Sequence, residues 1–439
     1  MMIEPQDIKT EAGKTVVATL LDRFVTGDDS CRPAVEQILA EVKVSGDEAL
    51  VKYTRKFDAP NFTIDDLVVK PEEIDHAYNA VGADFLETLE LAIERVQSFH
   101  ERELEDSWML TRDNGTIVGR LVRPVDRAGL YVPGGIGGST PLVSSVLMNG
   151  IPAAIAGVPQ RIMVTPCAED GTINPHLLVA AHQIGITEIY KVGSAWAIGG
   201  LAFGTDTMPA VDVIVGPGNQ YVTEAKKQVS GMVRIDMIAG PSEVLIVTDE
   251  SADPEFVAAD MLAQAEHDRL ALAVVITTDP NQAEMINTQL AEQLDLLERA
   301  DIAREALTER GQILVVDSVE EAIELANEIA IEHLELMVED PWAWIPKIRH
   351  AGAIFLGSNT PEAAGDYFAG PNHVLPTMGT ARFASALGVE TFLKKSSIIN
   401  YSKEALKEDS RHIKMLAELE GLTAHGASVT RRVTKLTDQ

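Results

Sequence analysis

From residue 117 onward, short apolar runs of strand type alternate with helical stretches, and this alternation restricts the fold more than any other feature. RIMVTP, EIYKVG and VDVIVGPG come first. After AGPSE follow VLIVTD, ALAVVITT, QILVVD, LELMVED and AIFLG, each separated from the next by a helical stretch. Strands joined by helices of this length pair in parallel, because the crossover needs a helix to return the chain to the same edge. The expectation is an α/β protein with two Rossmann-like units. One spans 126–242 and the other 243–385. Helical periodicity in RPAVEQILAEVKVSGDEALVKYTRKFD and DFLETLELAIERVQSFHERE predicts an N-terminal helical segment over 1–125, expected to join the second unit. Residues 386–439 read as a helical tail. A tail this short buries little by itself, so it is expected to pack on another unit or another chain.

The 439 residues are 46% hydrophobic, enough for packed cores, and carry a net charge of −31. So acidic a chain excludes nucleic-acid backbones and anionic membranes as expected partners, since both attract basic surfaces. Two cysteines, Cys31 and Cys167, give no disulfide framework. The opening MMIEPQDIKTEAGK lacks the pattern of a secretory signal, and no apolar run has the length of a membrane span. The expectation is a cytoplasmic protein.

Two glycine-rich stretches precede helices: YVPGGIGGSTPLVSSVLMNG at 131–150 and VGPGNQYVTEAKKQV at 215–229. Glycine lets backbone N–H groups approach an anion at a helix start, but a tight strand-to-helix turn has the same composition. Neither stretch matches the G-x-G-x-x-G fingerprint. Together they favour a nucleotide or another phosphate ligand at the carboxyl ends of the strands.

Five further places carry polar groups suited to chemistry. Gln264 and His267 in MLAQAEHDRL end an apolar helical stripe, which is either a helix end meeting solvent or a site. Glu332 and His333 in AIEHLEL stand at a helix-to-strand junction, where a base and a proton shuttle can reach one pocket. GDYFAGPNHVLPT holds Asp366 and His373, EGLTAHGAS holds Glu420 and His425, and AGPSE holds Ser242. Imidazole, carboxylate and amide oxygen all ligate zinc, so Gln264, His267, Asp366 and His425 would supply two nitrogens and two oxygens.

In order and spacing, LYVPGG, GPGN-x-YVTEAK, IDMIAGPSE, QAEHD, EHLEL, GDY-x-x-G-x-NHVLPT and LTAH resemble the histidinol dehydrogenase family, from about residue 20 to about residue 435. The resemblance implies an enzyme oxidising L-histidinol to L-histidine through an aldehyde, with one zinc per subunit and two NAD⁺ reduced. It implies zinc ligands Gln264, His267, Asp366 and His425, and an acid–base pair of Glu332 and His333. Ser242, His373 and Glu420 would contact substrate, as would the zinc ligands and His333. Tyr131 and Asn219 would bind NAD. Trp196 stands in VGSAWAI where the family usually has a glutamine that contacts NAD, so this position is expected on the cofactor side. The 134–140 loop looks longer than the family's. The resemblance also implies a homodimer whose C-terminal tails reach into each other's sites. Three readings compete: a relative acting on another polar amino alcohol or diol, a zinc hydrolase with the same ligands, and a binding protein without Glu332–His333 chemistry.

Overall fold

EVLIVT at Glu243–Thr248 and LAVVIT at Leu272–Thr277 are buried at every position, as parallel strands covered on both faces require. The computed structural model describes residues 2–23, 30–134 and 140–437. In it these strands belong to a parallel sheet with the order Gln6–Asp7, Gln312–Val315, Leu272–Thr277, Glu243–Thr248, His333–Met337 and Ala353–Leu356. From Glu243–Thr248 the chain first winds to one side and then returns to the other. The winding therefore reverses between Glu243–Thr248 and His333–Met337. Side chains alternate between two cores. Val244, Ile246, Val275 and Met337 pack under the helix Pro254–Ala265, and Leu245, Val247, Leu334 and Leu336 under the helix Val319–Ile329.

A second parallel sheet has the order Glu188–Tyr190, Gln160–Val164, Arg127–Tyr131, Val213–Val215 and Arg234–Ile235. Its winding reverses between Arg127–Tyr131 and Val213–Val215. Both sheets thus have the doubly wound form that the sequence predicts.

The N-terminal segment divides differently from the expectation. Only its first part joins the 243–385 sheet: Gln6–Asp7 pairs with Gln312–Val315, and the helix Glu11–Leu21 packs beside Val319–Ile329. The helices from Arg32 to His100 cover the other sheet. Arg32–Ser45 lies on Ser194–Phe203, Pro71–Ala80 on Pro175–Gln183, and Ala83–His100 on Val143–Ile155. Close approach decides this. A Cβ at Gly199 would stand 3.2 Å from Leu39 and Val42, so the bare glycine backbone is what the arriving apolar stripe fits against.

These sheets and helices form one compact unit, 1–103 with 126–392; 104–125 and 393–439 form another. The second unit holds an antiparallel sheet, Leu393–Asn400 with Ile117–Pro124 with Trp108–Thr111, and the helices Lys403–Leu419 and Thr423–Thr437 packed on each other. The tail is therefore not wholly helical: LKKSSIIN pairs as a strand, a register its β-branched residues suit. Among the described residues, no helix is long and apolar enough to cross a membrane.

Candidate active site

Three elements bring polar side chains to the amino edge of the sheet that contains Glu243–Thr248. The helix Pro254–Ala265 is capped by Asp253, whose side chain accepts from the Glu255 N–H, and it ends where the chain turns back into Leu272–Thr277. Asp260 and Gln264, one turn apart, are both buried on it, and His267 follows in the exposed turn. The strand His333–Met337 sends His333, Glu335 and Met337 to one face, and Met337 lies in the core under the same helix. The helix Glu362–Tyr367 places Glu362 and Asp366 one turn apart. Glu332 precedes its strand, and there the neighbouring chain comes very close. A Cβ at Gly352 would stand 2.6 Å from the Glu332 carbonyl oxygen.

Glu332 and His333 are both held by one residue. The Glu243 N–H donates to Glu332 Oε2 at 2.7 Å, and His333 Nδ1 lies 3.0 Å from the Glu243 carbonyl oxygen. A carbonyl only accepts, so His333 carries its proton on Nδ1, and Nε2 keeps its lone pair. That Nε2 is buried, with no hydrogen-bond partner among the described residues. Burial lowers the His333 pKa to about 3, with His267 and His373 pushing the same way and the bond to Glu243 opposing. The imidazole is therefore neutral, with the Nε2 lone pair uncommitted.

Carboxyl groups crowd around it. Burial raises Glu332 well above the ordinary range; the Glu243 N–H opposes this, and the Glu243 and Asp366 carboxylates add to it. Glu362 is pushed up by burial and by Asp366, Glu332 and Asp260. Glu335, with both oxygens buried, rises through burial and through Asp260 and Glu362. Asp366 is raised to about 6 by burial. Acids that raise one another's pKa ionise together only when a cation joins them, so the site favours a metal ion or an ammonium group.

A metal-capable group is present. One ligand atom each from His267, Glu362 and Asp366 lie within 4.8 Å of one another. Oriented to satisfy its neighbours, the Gln264 amide donates to both Glu362 oxygens at 3.1 Å, which leaves its carbonyl oxygen available. Ser242, at the entry to Glu243–Thr248, is partly buried, and its carbonyl accepts from the Leu272 N–H. His373 is partly buried too, with Nε2 unpartnered among the described residues. Glu420 and His425 are exposed residues of the second unit.

The residues expected on the cofactor side lie around the other sheet. Tyr131 ends the strand Arg127–Tyr131. Its hydroxyl accepts from the Ser194 N–H at 3.1 Å, and burial holds its pKa up at about 12. Asn219 follows Val213–Val215 and caps the helix Gln220–Val229, accepting from the Tyr221 and Val222 N–H groups. Both stand at carboxyl ends of strands, at the point where the winding reverses. The loop that looks longer than the family's, at 134–140, falls mostly at 135–139, outside the described residues.

Trp196, also expected on the cofactor side, lies on the helix Ser194–Phe203 beside the same sheet. It is 4% exposed, donates its indole N–H to Thr54 Oγ1 at 3.1 Å, and stacks against Tyr53 and Phe57 with centroids 5.9 and 5.6 Å away. Its ring packs the helix Asp47–Phe57 against the helix Ser194–Phe203. Trp196→Ala is therefore expected to cost about 3–5 kcal/mol of stability, measured by denaturant unfolding. A stability change under about 1 kcal/mol would contradict this packing role.

Sequence reasoning missed Arg23, Glu243, Asp260, Glu335 and Glu362. Weak signals existed for three of them. Asp260 stands four residues before Gln264, Glu335 two after His333, and Glu362 four before Asp366. On a helix or a strand, those spacings put each on the face of a residue already singled out.

Comparison with known proteins agrees with this geometry. A family model described as histidinol dehydrogenase matches residues 21–433. The histidinol dehydrogenase of Desulfotalea psychrophila is 68% identical over 433 residues, covering 99% of this chain and 100% of that one. The Nitratidesulfovibrio vulgaris enzyme of the same name is 52% identical, with 97% and 98% covered. The crystal structure of histidinol dehydrogenase from Elizabethkingia anophelis is similar at a TM-score of 0.90 and 39% identity, with 96% of each chain covered.

Proposed function

We propose, from the premise that this chain belongs to the histidinol dehydrogenase family and is an NAD-dependent oxidoreductase, that Glu332 and His333 are its acid–base pair. The substrate is L-histidinol, oxidised through the aldehyde to L-histidine with two NAD⁺ reduced. The observation that carries this reading is His333 itself: neutral, with Nδ1–H on the Glu243 carbonyl and a bare, buried Nε2. Nε2 takes the alcohol proton as hydride leaves for the nicotinamide. Glu332 keeps Oε2 on the Glu243 N–H, and Oε1 takes a proton from the water that hydrates the aldehyde. His333 returns its proton to the carbonyl oxygen as the water adds, which completes the hydrate and leaves Nε2 free again; the hydrate is an alcohol, so His333 serves the second hydride step too. Holding the aldehyde in place between steps protects a reactive intermediate.

Zinc fits the donor chemistry of Gln264, His267 and Asp366, with His425 as the fourth ligand and Glu362 orienting the Gln264 amide. Bound there, it supplies a Lewis acid that anchors the imidazole and amine of histidinol. Ser242, His373 and Glu420 complete the substrate contacts, and Tyr131 and Asn219 the NAD side. The working enzyme is a cytoplasmic homodimer with exchanged tails. Exposed apolar side chains on the second unit, Trp108, Met109, Leu110, Ile399, Met415, Leu416 and Leu419, support its role in association. The functional domains run 126–242 on the NAD side, 243–385 around zinc, and 386–439 for dimerisation.

NADH formation with histidinol tests the activity, and its absence from zinc-loaded enzyme would refute it. Glu332→Gln is expected to slow the aldehyde step more than the alcohol step, since only hydration uses the carboxylate. Comparing rates from histidinol and from the aldehyde reads this directly. Equal losses in both would contradict the division of labour.

A further inference from the structure

We propose that the buried Arg23–Glu243 ion pair is a positioning clamp that aims Glu332 and His333 at the substrate. The proposal rests on the acid–base reading of those two residues. Glu243 is the hub, since its N–H holds Glu332 and its carbonyl holds His333. Whatever fixes the Glu243 backbone therefore fixes the direction of both side chains. The Glu243 carboxylate is itself 1% exposed and held from two sides. Arg23 donates to it through Nε at 2.7 Å and Nη2 at 3.0 Å, and the Met378 N–H donates at 3.1 Å. A guanidinium fork on a carboxylate sets orientation as well as distance.

Arg23 also reaches the other chain segment that matters. Its Nη2 lies 3.4 Å from the Ala330 carbonyl, while Nη1 donates to the Leu20 carbonyl at 2.8 Å. Ala330 ends the helix Val319–Ile329 in the left-handed region, at φ 53°, two residues before Glu332. A side-chain-bearing residue there is strained and persists only when its surroundings hold it. One guanidinium thus ties the entry of Glu243–Thr248 to the turn that delivers Glu332 and His333. Stability alone is a poor reason for this arrangement, because two apolar residues of similar size often serve as well as a buried ion pair. Its distinct contribution is geometry, and a misplacement of about 1 Å can cost on the order of 10²-fold in rate.

The test uses full-length, zinc-loaded enzyme with ¹⁵N-labelled histidine. The double variant Arg23→Met/Glu243→Met removes both charges together, so no lone buried charge remains. Expected results are unchanged zinc content, unchanged KM for histidinol and NAD, and a kcat lower by about 10–100-fold. The His333 side-chain ¹⁵N signal, identified by its loss in His333→Ala, should no longer show Nδ1 protonation alone. Glu243→Gln, which keeps the shape of the residue, should move both readouts in the same direction and serves if the double variant does not fold. An unchanged kcat together with an unchanged His333 tautomer, in either variant, would overturn the clamp. If instead His333→Ala kept its activity, the acid–base reading would fail. The tautomer signal would still report on the clamp, so the two failures are distinguishable.

Discussion

Replacing His333 with alanine is expected to slow both oxidation steps by roughly 10²–10⁴-fold, the usual contribution of a positioned general base. Both should suffer because each begins with the same event, loss of an O–H proton as hydride departs. The bare Nε2 is the only atom of the residue suited to that task, since Nδ1 is committed to the Glu243 carbonyl. Zinc content and NAD affinity should change little, because neither role is proposed for His333. Single-turnover measurement of NADH from histidinol and from the aldehyde checks this. A variant that lost only one step, or that kept near wild-type rates in both, would remove His333 from the proton transfer.

The second large effect concerns the tail. His425→Ala and His267→Ala chains are each expected to be inactive alone, since either leaves the proposed zinc site a ligand short. Mixed and allowed to exchange subunits, they should recover up to about a quarter of wild-type activity. Half the dimers would be mixed, and in these one of the two sites carries both lesions while the other carries neither. If His425 served its own chain, every site would keep one lesion and mixing would restore nothing. Activity and bound zinc, followed together during exchange, decide between the two.

Much of the site was legible one residue at a time. Glu332, His333, Gln264 and His267 stand out because each is a chemically capable group at the end of an apolar helix or strand, and Asp366 because it stands in a glycine- and proline-containing stretch with no obvious core role. Glu335 and Asp260 were overlooked because a single carboxylate in a strand or helix reads as a solvent-facing residue. Only the packing of Pro254–Ala265 on His333–Met337 shows that both are buried. The packing partners of Trp196 were not legible either. Its ring stacks on Tyr53 and Phe57, more than 130 residues earlier in the chain.

The sequence by itself determined the parallel sheets, because continuous apolar runs separated by helices have no other economical way to be buried. It also determined which side chains can do acid–base and metal chemistry, since that is a property of each residue. Tertiary structure alone decided where they meet. The proposed acid–base pair gathers at the amino edge of its sheet, whereas the proposed NAD residues stand at the carboxyl ends of the other. No local pattern records that difference. Nor does any short-range signal join Arg23 to Glu243, which are 220 residues apart and paired at 2.7 Å. Periodicity reports which face of an element is apolar. Which partner covers that face, and which charges are buried beneath it, follows only from the packing of the folded chain.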